Sequence, residues 1–150
     1  MKVVIQRVSH ANVNIDGKEV AAIDLGLLVL VGIVNDDTQD DINWLSNKIA
    51  NLRIFGDDDK VMNKSLRDVH GDAIVVSQFT LHSNTKKGNR PSYLKAAKPK
   101  LAIPLYEAFV KTLENDLGKS IQTGRFGADM KVNLLNDGPV TIIIDTKNRD

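Results

Sequence analysis

The chain has 150 residues, of which 42% are apolar and 26% are charged, and its formal net charge is +1. These values predict one folded globular domain over residues 1–150 and exclude an intrinsically disordered chain. Cysteine is absent, which excludes disulfide bonds, a thiol nucleophile and a thiolate-bound zinc site.

The sequence carries no pattern typical of export or membrane insertion. Polar and charged residues appear by Lys2, Gln6 and Arg7, too early for the apolar core of a signal peptide. The longest apolar run, residues 25–34, is too short to span a bilayer. We therefore expect a cytoplasmic protein without a membrane partner.

The first part of the chain predicts three β-strands. Apolar residues mostly alternate with polar ones over residues 3–15, the period of a strand with one buried face. Asp16-Gly17 favours a two-residue hairpin turn, so the chain is expected to return over residues 18–23. The aliphatic run at residues 26–34 is typical of a core strand covered on both faces.

Apolar residues then recur at spacings of three and four, which predicts two amphipathic helices. Thr38 can cap the first helix, and Trp44 lies outside its apolar face. The second helix should begin near Pro99 or Pro104, because proline is tolerated in the first turn, and end at Gly118. The residues expected to be buried are Ile42, Leu45, Ile49 and Leu52 in the first helix and Leu105, Phe109 and Leu113 in the second.

The remaining β patterns are short and separated by turns. Regular alternation of strands and helices is absent, which indicates an α+β domain. We expect antiparallel or mixed sheets that curl into a barrel-like or sandwich layer covered by the two long helices. The further predicted strands cover residues 52–55, 61–62, 73–79, 121–123, 130–135 and 140–145, with turns at residues 56–60 and 136–139.

Common catalytic signatures are missing from the sequence. There is no Gly-x-Ser-x-Gly elbow, Walker phosphate loop, His-Glu-x-x-His helix or dinucleotide-binding glycine motif. His10, His70 and His82 are far apart and lack the spacing of metal ligands. We therefore expect neither a metal ion nor a cofactor, and any catalysis must use other groups.

Two polar segments lie at predicted strand ends. Ser-Gln-Phe-Thr-Leu at residues 77–81 follows an aliphatic strand, a common position for a binding site. A structural role is also open, since Thr and Phe are good strand residues. Asn-Asp-Gly-Pro-Val-Thr at residues 136–141 contains a turn before a strand, and geometry alone favours an ordinary turn there.

Between residues 86 and 100 the chain carries six cations and no acid. Such a basic segment can bind a phosphate backbone, where Lys and Arg supply affinity by displacing counterions. A solvated loop followed by a helix explains the charge alone equally well. The cations are Lys86, Lys87, Arg90, Lys95, Lys98 and Lys100.

Two further motifs are Lys-Gly-Asn-Arg-Pro-Ser-Tyr at residues 87–93 and Thr-Gly-Arg-Phe-Gly-Ala-Asp-Met at residues 123–130. Together with residues 77–81 and 136–141, they occur in the order seen in the D-aminoacyl-tRNA deacylases, the D-tyrosyl-tRNA deacylase family. The similarity extends over nearly the whole chain. One departure is Tyr93, where many members carry phenylalanine.

This resemblance implies a hydrolase that proofreads translation. Members cleave the ester between a D-amino acid and tRNA, and many also remove glycine from mischarged tRNA. They are homodimers in which the Gly-Pro turn of one chain, with a cis peptide bond, enters the site of the other. By this likeness, the carbonyls of Gly138 and Pro139 bind the substrate's amino group and leave no room for an L side chain. Arg7 holds that turn, and Met130 lies beside the pocket.

The likeness also implies a reaction centre at the end of the 77–81 segment, with backbone N–H groups suited to an oxyanion. Thr80 is a candidate nucleophile, but the only nearby base in the sequence is His82. We favour a mechanism in which the ribose 2′-hydroxyl of tRNA helps to activate water, which selects RNA over DNA. The implied catalytic residues are Ser77, Gln78, Phe79 and Thr80, and the implied tRNA contacts are Lys86, Lys87 and Arg90.

Two alternatives stay open at the level of the sequence. One is a non-catalytic tRNA-binding module that uses the basic segment and stacks a base on Tyr93. The other is a related editing deacylase with a trans Gly-Pro bond, which would act on L-aminoacyl-tRNA.

Overall fold

The computed structural model describes residues 1–149. It contains eight strands, two long helices and one short 3-10 helix in that part of the chain. The strands are β1 (Lys2–Ile15), β2 (Lys18–Ile23), β3 (Gly26–Gly32), β4 (Phe55–Gly56), β5 (Met62–Lys64), β6 (Asp72–Ser77), β7 (Gln122–Thr123) and β8 (Lys131–Asp145), and the helices are α1 (Gln39–Asn51), α2 (Pro99–Leu117) and the 3-10 helix Phe79–His82.

The long strand β1 organises the main sheet. Its first half pairs with β3 and its second half with β2, while β8 pairs with its other edge, all antiparallel. Parallel pairing of β3 with β6 and of β6 with β7 continues the sheet. The amide of Ala22 in β2 donates to Oε1 of Gln122 in β7 at 2.8 Å, which brings the ends of the sheet together. The predicted α+β class and nearly closed, barrel-like sheet are therefore confirmed.

Alternate residues of the central strands pack into two separate cores. Leu27, Val29 and Val31 of β3 lie in the core beneath the helices. Leu28 lies in a second core, formed with the second half of β1 and with β2. Burial of both faces explains why β3 is a continuous aliphatic run rather than an alternating strand.

Both long helices begin where the sequence indicates. At the start of α1, Oδ2 of Asp41 accepts a hydrogen bond from the amide of Thr38 at 2.9 Å. α2 begins at Pro99, and Gly118 ends it in the left-handed conformation with φ of 69°. Two predicted core residues are wrong, because both are only half-buried. Leu52 lies just past the end of α1 as its C-cap, and the neighbour of Leu105, Tyr106, is buried in its place.

Three β predictions also need correction. Of the strand predicted over residues 52–55, only Phe55 belongs to a strand, β4. The strand predicted over residues 73–79 ends at Ser77, because the chain turns into the 3-10 helix when the amide of Leu81 donates to the oxygen of Gln78. The predicted strands 130–135 and 140–145 belong to one element, β8, since both halves pair with β1 around the intervening turn.

The two ends of the described chain meet beside α1. The Met1 amine is buried and paired with Asp37, and it donates to Oγ1 of Thr146 at 2.7 Å. The ammonium of Lys147 lies 2.9 Å from Oδ2 of Asp41. This terminal clamp, formed by Met1, Asp37, Asp41, Thr146 and Lys147, fastens the last strand to the first helix. Neither helix within residues 1–149 has an apolar stretch long enough for a bilayer crossing.

Candidate active site

A pocket of about 270 Å³ opens at the carboxyl end of β6. Ser77 is the last residue of that strand, and Gln78 and Phe79 continue the wall as the chain enters the 3-10 helix. The amide of Gln78 donates to the oxygen of Val31 at 2.7 Å, which fixes the departure of the segment from the sheet. The pocket therefore lies at the strand end that the sequence indicated.

Thr80 is oriented by its neighbour rather than by a base. Its Oγ1 accepts a hydrogen bond from Nε2 of Gln78, and Thr80 does not line the pocket. The amides of Phe79 and Thr80 open the 3-10 helix, so helical geometry leaves them without an acceptor inside the helix. Phe79 lines the pocket, and Thr80 follows it in the chain.

His82 packs against Gly32 of β3. A Cβ added at Gly32 would lie 2.9 Å from Cδ2 and 3.1 Å from Nε2 of His82. The Nε2 atom is buried and has no hydrogen-bond partner among residues 1–149. The Nε2 atom of His82 therefore makes no hydrogen bond to Thr80, whose Oγ1 is bonded to Gln78 instead. In the same range, no three acidic or histidine side chains converge as metal ligands would.

The opposite wall of the pocket is made by residues 126–130 and Val132. Met130 lies so close to the backbone that a Cβ at Gly124 would come within 2.3 Å of its Sδ. Gly124 thus makes the space that Met130 occupies, and this places the methionine against the pocket.

Tyr106 of α2 supports the base of this region. Its hydroxyl donates to the oxygen of Val75 in β6 at 2.8 Å, and its ring meets Phe126 edge to face. Burial raises the pKa of Tyr106 to about 12, although a hydrogen bond with Thr123 acts in the opposite direction. The tyrosine stays neutral at physiological pH and holds β6 against α2.

The Gly-Pro turn interrupts the pairing of β1 with β8, and its residues bulge out of the sheet as an excursion of β8. Gln6 pairs with Thr141 and Val8 with Asn136, so residues 137–140 lie opposite the single residue Arg7. The Gly138–Pro139 peptide bond is cis. Asp137, Gly138 and Pro139 are all exposed, so the turn projects from the surface of the chain.

The side chain of Arg7 links this turn to another part of the backbone by hydrogen bonds. Its Nε donates to the oxygen of Asp137 at 3.0 Å, and its Nη1 donates to the oxygen of Ile54 at 2.6 Å. Gly138 has φ of +133°, and a Cβ there would lie 3.0 Å from Nη2 of Arg7 and 2.9 Å from Cγ2 of Val140. Only glycine fits this backbone conformation and this space without strain.

The two sequence motifs do not meet within one chain. Gly138 and Pro139 line a different cavity of about 510 Å³, shared with Arg7 and the β4–β5 hairpin. Among residues 1–149, this cavity and the Ser77 pocket have no lining residue in common. The structure therefore brings Ser77, Gln78, Phe79 and Met130 together but leaves the Gly-Pro turn apart from them.

The basic segment 86–100 extends from the same end of β6. An isolated antiparallel bridge joins Asn84 to Ser92, and the ring of Tyr93 meets that of Phe79 edge to face at 5.1 Å between centroids. All six cations of the segment are exposed, and none forms an ion pair with a residue in the described range 1–149. The segment thus presents uncompensated positive charge beside the pocket.

Several site residues were not singled out from the sequence. Phe126 and Ala128 line the pocket, and Asn136 spans the Gly-Pro turn, as its hydrogen bonds show. All three lie inside motifs that the sequence analysis describes, so their position in those motifs is the feature of the sequence that indicates them. Their roles depend on contacts between distant segments, which spacing along the chain does not reveal.

Comparison with known proteins finds relatives that match the chain along its length. Residues 4–145 match the profile of the family described as D-Tyr-tRNA(Tyr) deacylase. Proteins named D-aminoacyl-tRNA deacylase from Flavobacterium johnsoniae and Bacteroides fragilis are 68% and 63% identical to this chain over 150 residues, covering the full length of both partners.

Two solved structures share the fold. The one described as c-Myc DNA Unwinding Element Binding Protein is 40% identical, with a TM-score of 0.89 over 97% of this chain and 98% of that chain. A probable eukaryotic D-amino acid tRNA deacylase has a TM-score of 0.82 over 95% of this chain and 97% of that chain, at 16% identity, which shows likeness of fold alone. The family profile matches residues 4–145, and the two curated relatives are 68% and 63% identical to the chain over its full length. The chain therefore belongs to the D-aminoacyl-tRNA deacylase family, described as D-Tyr-tRNA(Tyr) deacylase.

Proposed function

We propose that this protein hydrolyses the ester of D-aminoacyl-tRNA, and of mischarged glycyl-tRNA, in the cytoplasm. The observation that carries the proposal is the exposed Gly138–Pro139 turn, which is braced by Arg7 yet lies outside the pocket of its own chain. A rigid backbone feature on the surface is suited to completing a pocket on another copy.

The active unit in this proposal is a homodimer with two interfacial sites. The turn of one chain enters the Ser77 pocket of its partner, where the carbonyls of Gly138 and Pro139 bind the substrate's amino group. A backbone wall rejects an L side chain by clash and accepts many D side chains because it does not contact them. Glycine has no side chain, so it passes the same filter.

The chemistry of the proposed site depends on orientation and charge stabilisation. The amides of Phe79 and Thr80 stabilise the oxyanion that forms as water attacks the ester. The Oγ1 atom of Thr80 receives a hydrogen bond from Gln78, and no basic side chain within residues 1–149 hydrogen-bonds to it. In this proposal the 2′-hydroxyl of the terminal ribose therefore helps to activate the water. Because DNA lacks this hydroxyl, the reaction is specific for RNA.

The basic segment provides the proposed contact with the tRNA backbone. Lys86, Lys87 and Arg90 are exposed in the segment that follows the 3-10 helix, and none forms an ion pair with a residue in the range 1–149. Their reversal to Glu should weaken tRNA binding and flatten its dependence on salt concentration. Unchanged binding and an unchanged salt slope would remove this part of the proposal.

The direct test offers D-Tyr-tRNA, L-Tyr-tRNA and Gly-tRNA to the purified protein. The proposal predicts hydrolysis of the D and glycyl esters and little hydrolysis of the L ester. Binding without turnover would favour a non-catalytic tRNA-binding module, and preferential L hydrolysis would favour an editing deacylase of opposite chirality. Trapping of an acyl group on Thr80 would replace the 2′-hydroxyl mechanism with a covalent one.

A further inference from the structure

The side chain of Asn136 spans the base of the Gly-Pro turn. Its Oδ1 accepts a hydrogen bond from the amide of Val140 at 3.0 Å. Its Nδ2 donates to Oγ1 of Thr141 at 2.9 Å, and Nε2 of Gln6 donates to the same oxygen at 3.4 Å. Both ends of the Asn136 amide are therefore engaged on the far side of the turn.

This bridge replaces a missing backbone interaction. Residues 137–140 lie outside the register of β1 with β8, so the amide of Val140 has no partner on β1. Oδ1 of Asn136 supplies the acceptor instead. An asparagine side chain is well suited to this task, because its amide mimics a backbone peptide and closes a local turn.

Arg7 and Asn136 hold opposite ends of the same excursion. Arg7 binds the oxygen of Asp137, which precedes Gly138, and Asn136 binds the amide of Val140, which follows Pro139. Gly138 and Pro139 are exposed between these two anchors. Loss of either anchor would leave the turn fixed at one end only.

We propose that Asn136 is a positioning residue that fixes Gly138 and Pro139 in the geometry required for chiral selection. The selective role depends on the function proposed above, whereas the bridge itself is a property of the folded chain. Asn136 acts through the turn and does not contact the substrate.

The chemistry of the bridge predicts which substitutions preserve it. Asn136→Asp keeps an acceptor for the amide of Val140, and the hydroxyl of Thr141 can rotate to donate to the second carboxylate oxygen. Asn136→Ala removes both interactions. The aspartate variant should therefore retain most of the selectivity that the alanine variant loses.

Asn133→Ala is a matched control on the same strand. Asn133 is exposed, and its Nδ2 donates to Oδ1 of Asn12 at 2.9 Å, so its removal also costs a side-chain hydrogen bond of β8. It lies before the turn and takes no part in the bridge. Any effect common to both alanine variants reflects general weakening of the strand.

The experiment measures two quantities on each variant: hydrogen exchange of the Val140 amide, and the ratio of kcat/KM for D-Tyr-tRNA to that for L-Tyr-tRNA. Asn136→Ala should speed Val140 exchange and lower the D-to-L ratio by about tenfold, the effect of one to two lost hydrogen bonds. Asn136→Asp and Asn133→Ala should stay close to wild type in both measurements.

Each other outcome has a defined meaning. Unchanged Val140 exchange in Asn136→Ala overturns the bridge, and faster exchange with an unchanged ratio overturns the positioning role. An equal loss of selectivity in Asn133→Ala also overturns it. Failure of the wild-type protein to hydrolyse D-Tyr-tRNA refutes the proposed function, while the exchange measurement still decides whether Asn136 holds the turn.

Discussion

The guanidinium of Arg7 joins the oxygen of Asp137 to the rest of the fold. One donor of the planar group binds that oxygen at 3.0 Å, and another binds the oxygen of Ile54, just before β4, at 2.6 Å. Arg7 is the residue of β1 that faces the excursion of β8. The main sheet, the β4–β5 hairpin and the Gly-Pro turn therefore meet at one side chain.

Replacement of Arg7 by lysine should impair the turn even though the charge is kept. A single ammonium on a flexible stem cannot reproduce the rigid fork of two separated donors. We expect Arg7→Lys to lower the free energy of unfolding by about 1–2 kcal/mol and kcat/KM for D-Tyr-tRNA by at least about tenfold. Denaturant unfolding and initial rates measure the two effects. Arg53→Lys, at an exposed position, is the control. Full activity of Arg7→Lys would contradict the claim that the two hydrogen bonds of Arg7 hold the turn.

Gly138→Ala should abolish most of the activity. The new Cβ would meet Arg7 and Val140 at about 3 Å, and the residue would also pay about 1–3 kcal/mol for its backbone conformation. Gly17→Ala separates the steric contact of the Cβ from the backbone strain, because Gly17 also has a positive φ but a Cβ there meets nothing within 4 Å. The control should be destabilised by a similar amount yet keep its specific activity, and equal activity loss in both variants would refute a specific role for Gly138.

Gly124→Ala should narrow the pocket while leaving the fold intact. The added methyl would displace the flexible end of Met130, which lines the pocket. We expect KM for D-Tyr-tRNA to rise by about tenfold, equivalent to roughly 1.4 kcal/mol. The double variant Gly124→Ala/Met130→Ala should recover KM, because the displaced side chain is gone. An additive loss in the double variant would show that Gly124 acts by another route.

The terminal clamp predicts a specific dependence of stability on pH. Burial alone would raise the pKa of Asp41, but hydrogen bonds from Thr146, Lys147 and Thr38 lower it well below its usual value of 3.8. A carboxyl with a lowered pKa in the folded state stabilises the fold above the unfolded pKa, and that stabilisation is lost as the pH falls towards the folded pKa.

Asp41→Asn should therefore lower the free energy of unfolding by about 2 kcal/mol at pH 7. The difference from wild type should persist down to about pH 4 and shrink at lower pH, since the unfolded carboxyl protonates first. Denaturant unfolding at pH 7, 4 and 2.5 measures this difference in unfolding free energy, and Asp40→Asn, at an exposed position, is the control. A difference that grows as the pH falls would contradict the assignment.

Periodicity predicted most elements because the relevant interactions are local. The Asp16-Gly17 turn, the Thr38 cap and the Gly118 stop are each fixed by a few neighbouring residues. It failed at residues 78 and 79, where the chain turns into the 3-10 helix directly after the amide of Gln78 donates to the oxygen of Val31 in β3. The point at which pairing with β3 stops depends on the neighbouring strand, which the local pattern does not contain.

The candidate site was predictable only through its motifs. The motifs at residues 77–81 and 136–141 indicate the site, but the sequence does not show that His82 packs against Gly32 with its Nε2 buried. Nor did it show that Asn136 replaces a strand partner for Val140. Both facts depend on side-chain direction at a strand end or an irregular turn, where simple alternation no longer applies.

The claim that one subunit completes the site of the other is tested most directly by mixing two defective variants. Gly138→Ala disables the turn but leaves the pocket intact, and Ala128→Phe fills the pocket but leaves the turn intact. Random exchange at equal amounts makes half of the dimers mixed, and each mixed dimer holds one complete site. The account predicts recovery of about a quarter of the wild-type D-Tyr-tRNA deacylase activity. Activity no higher than that of the separate variants, with mixed dimers demonstrated by differential tags, would contradict it.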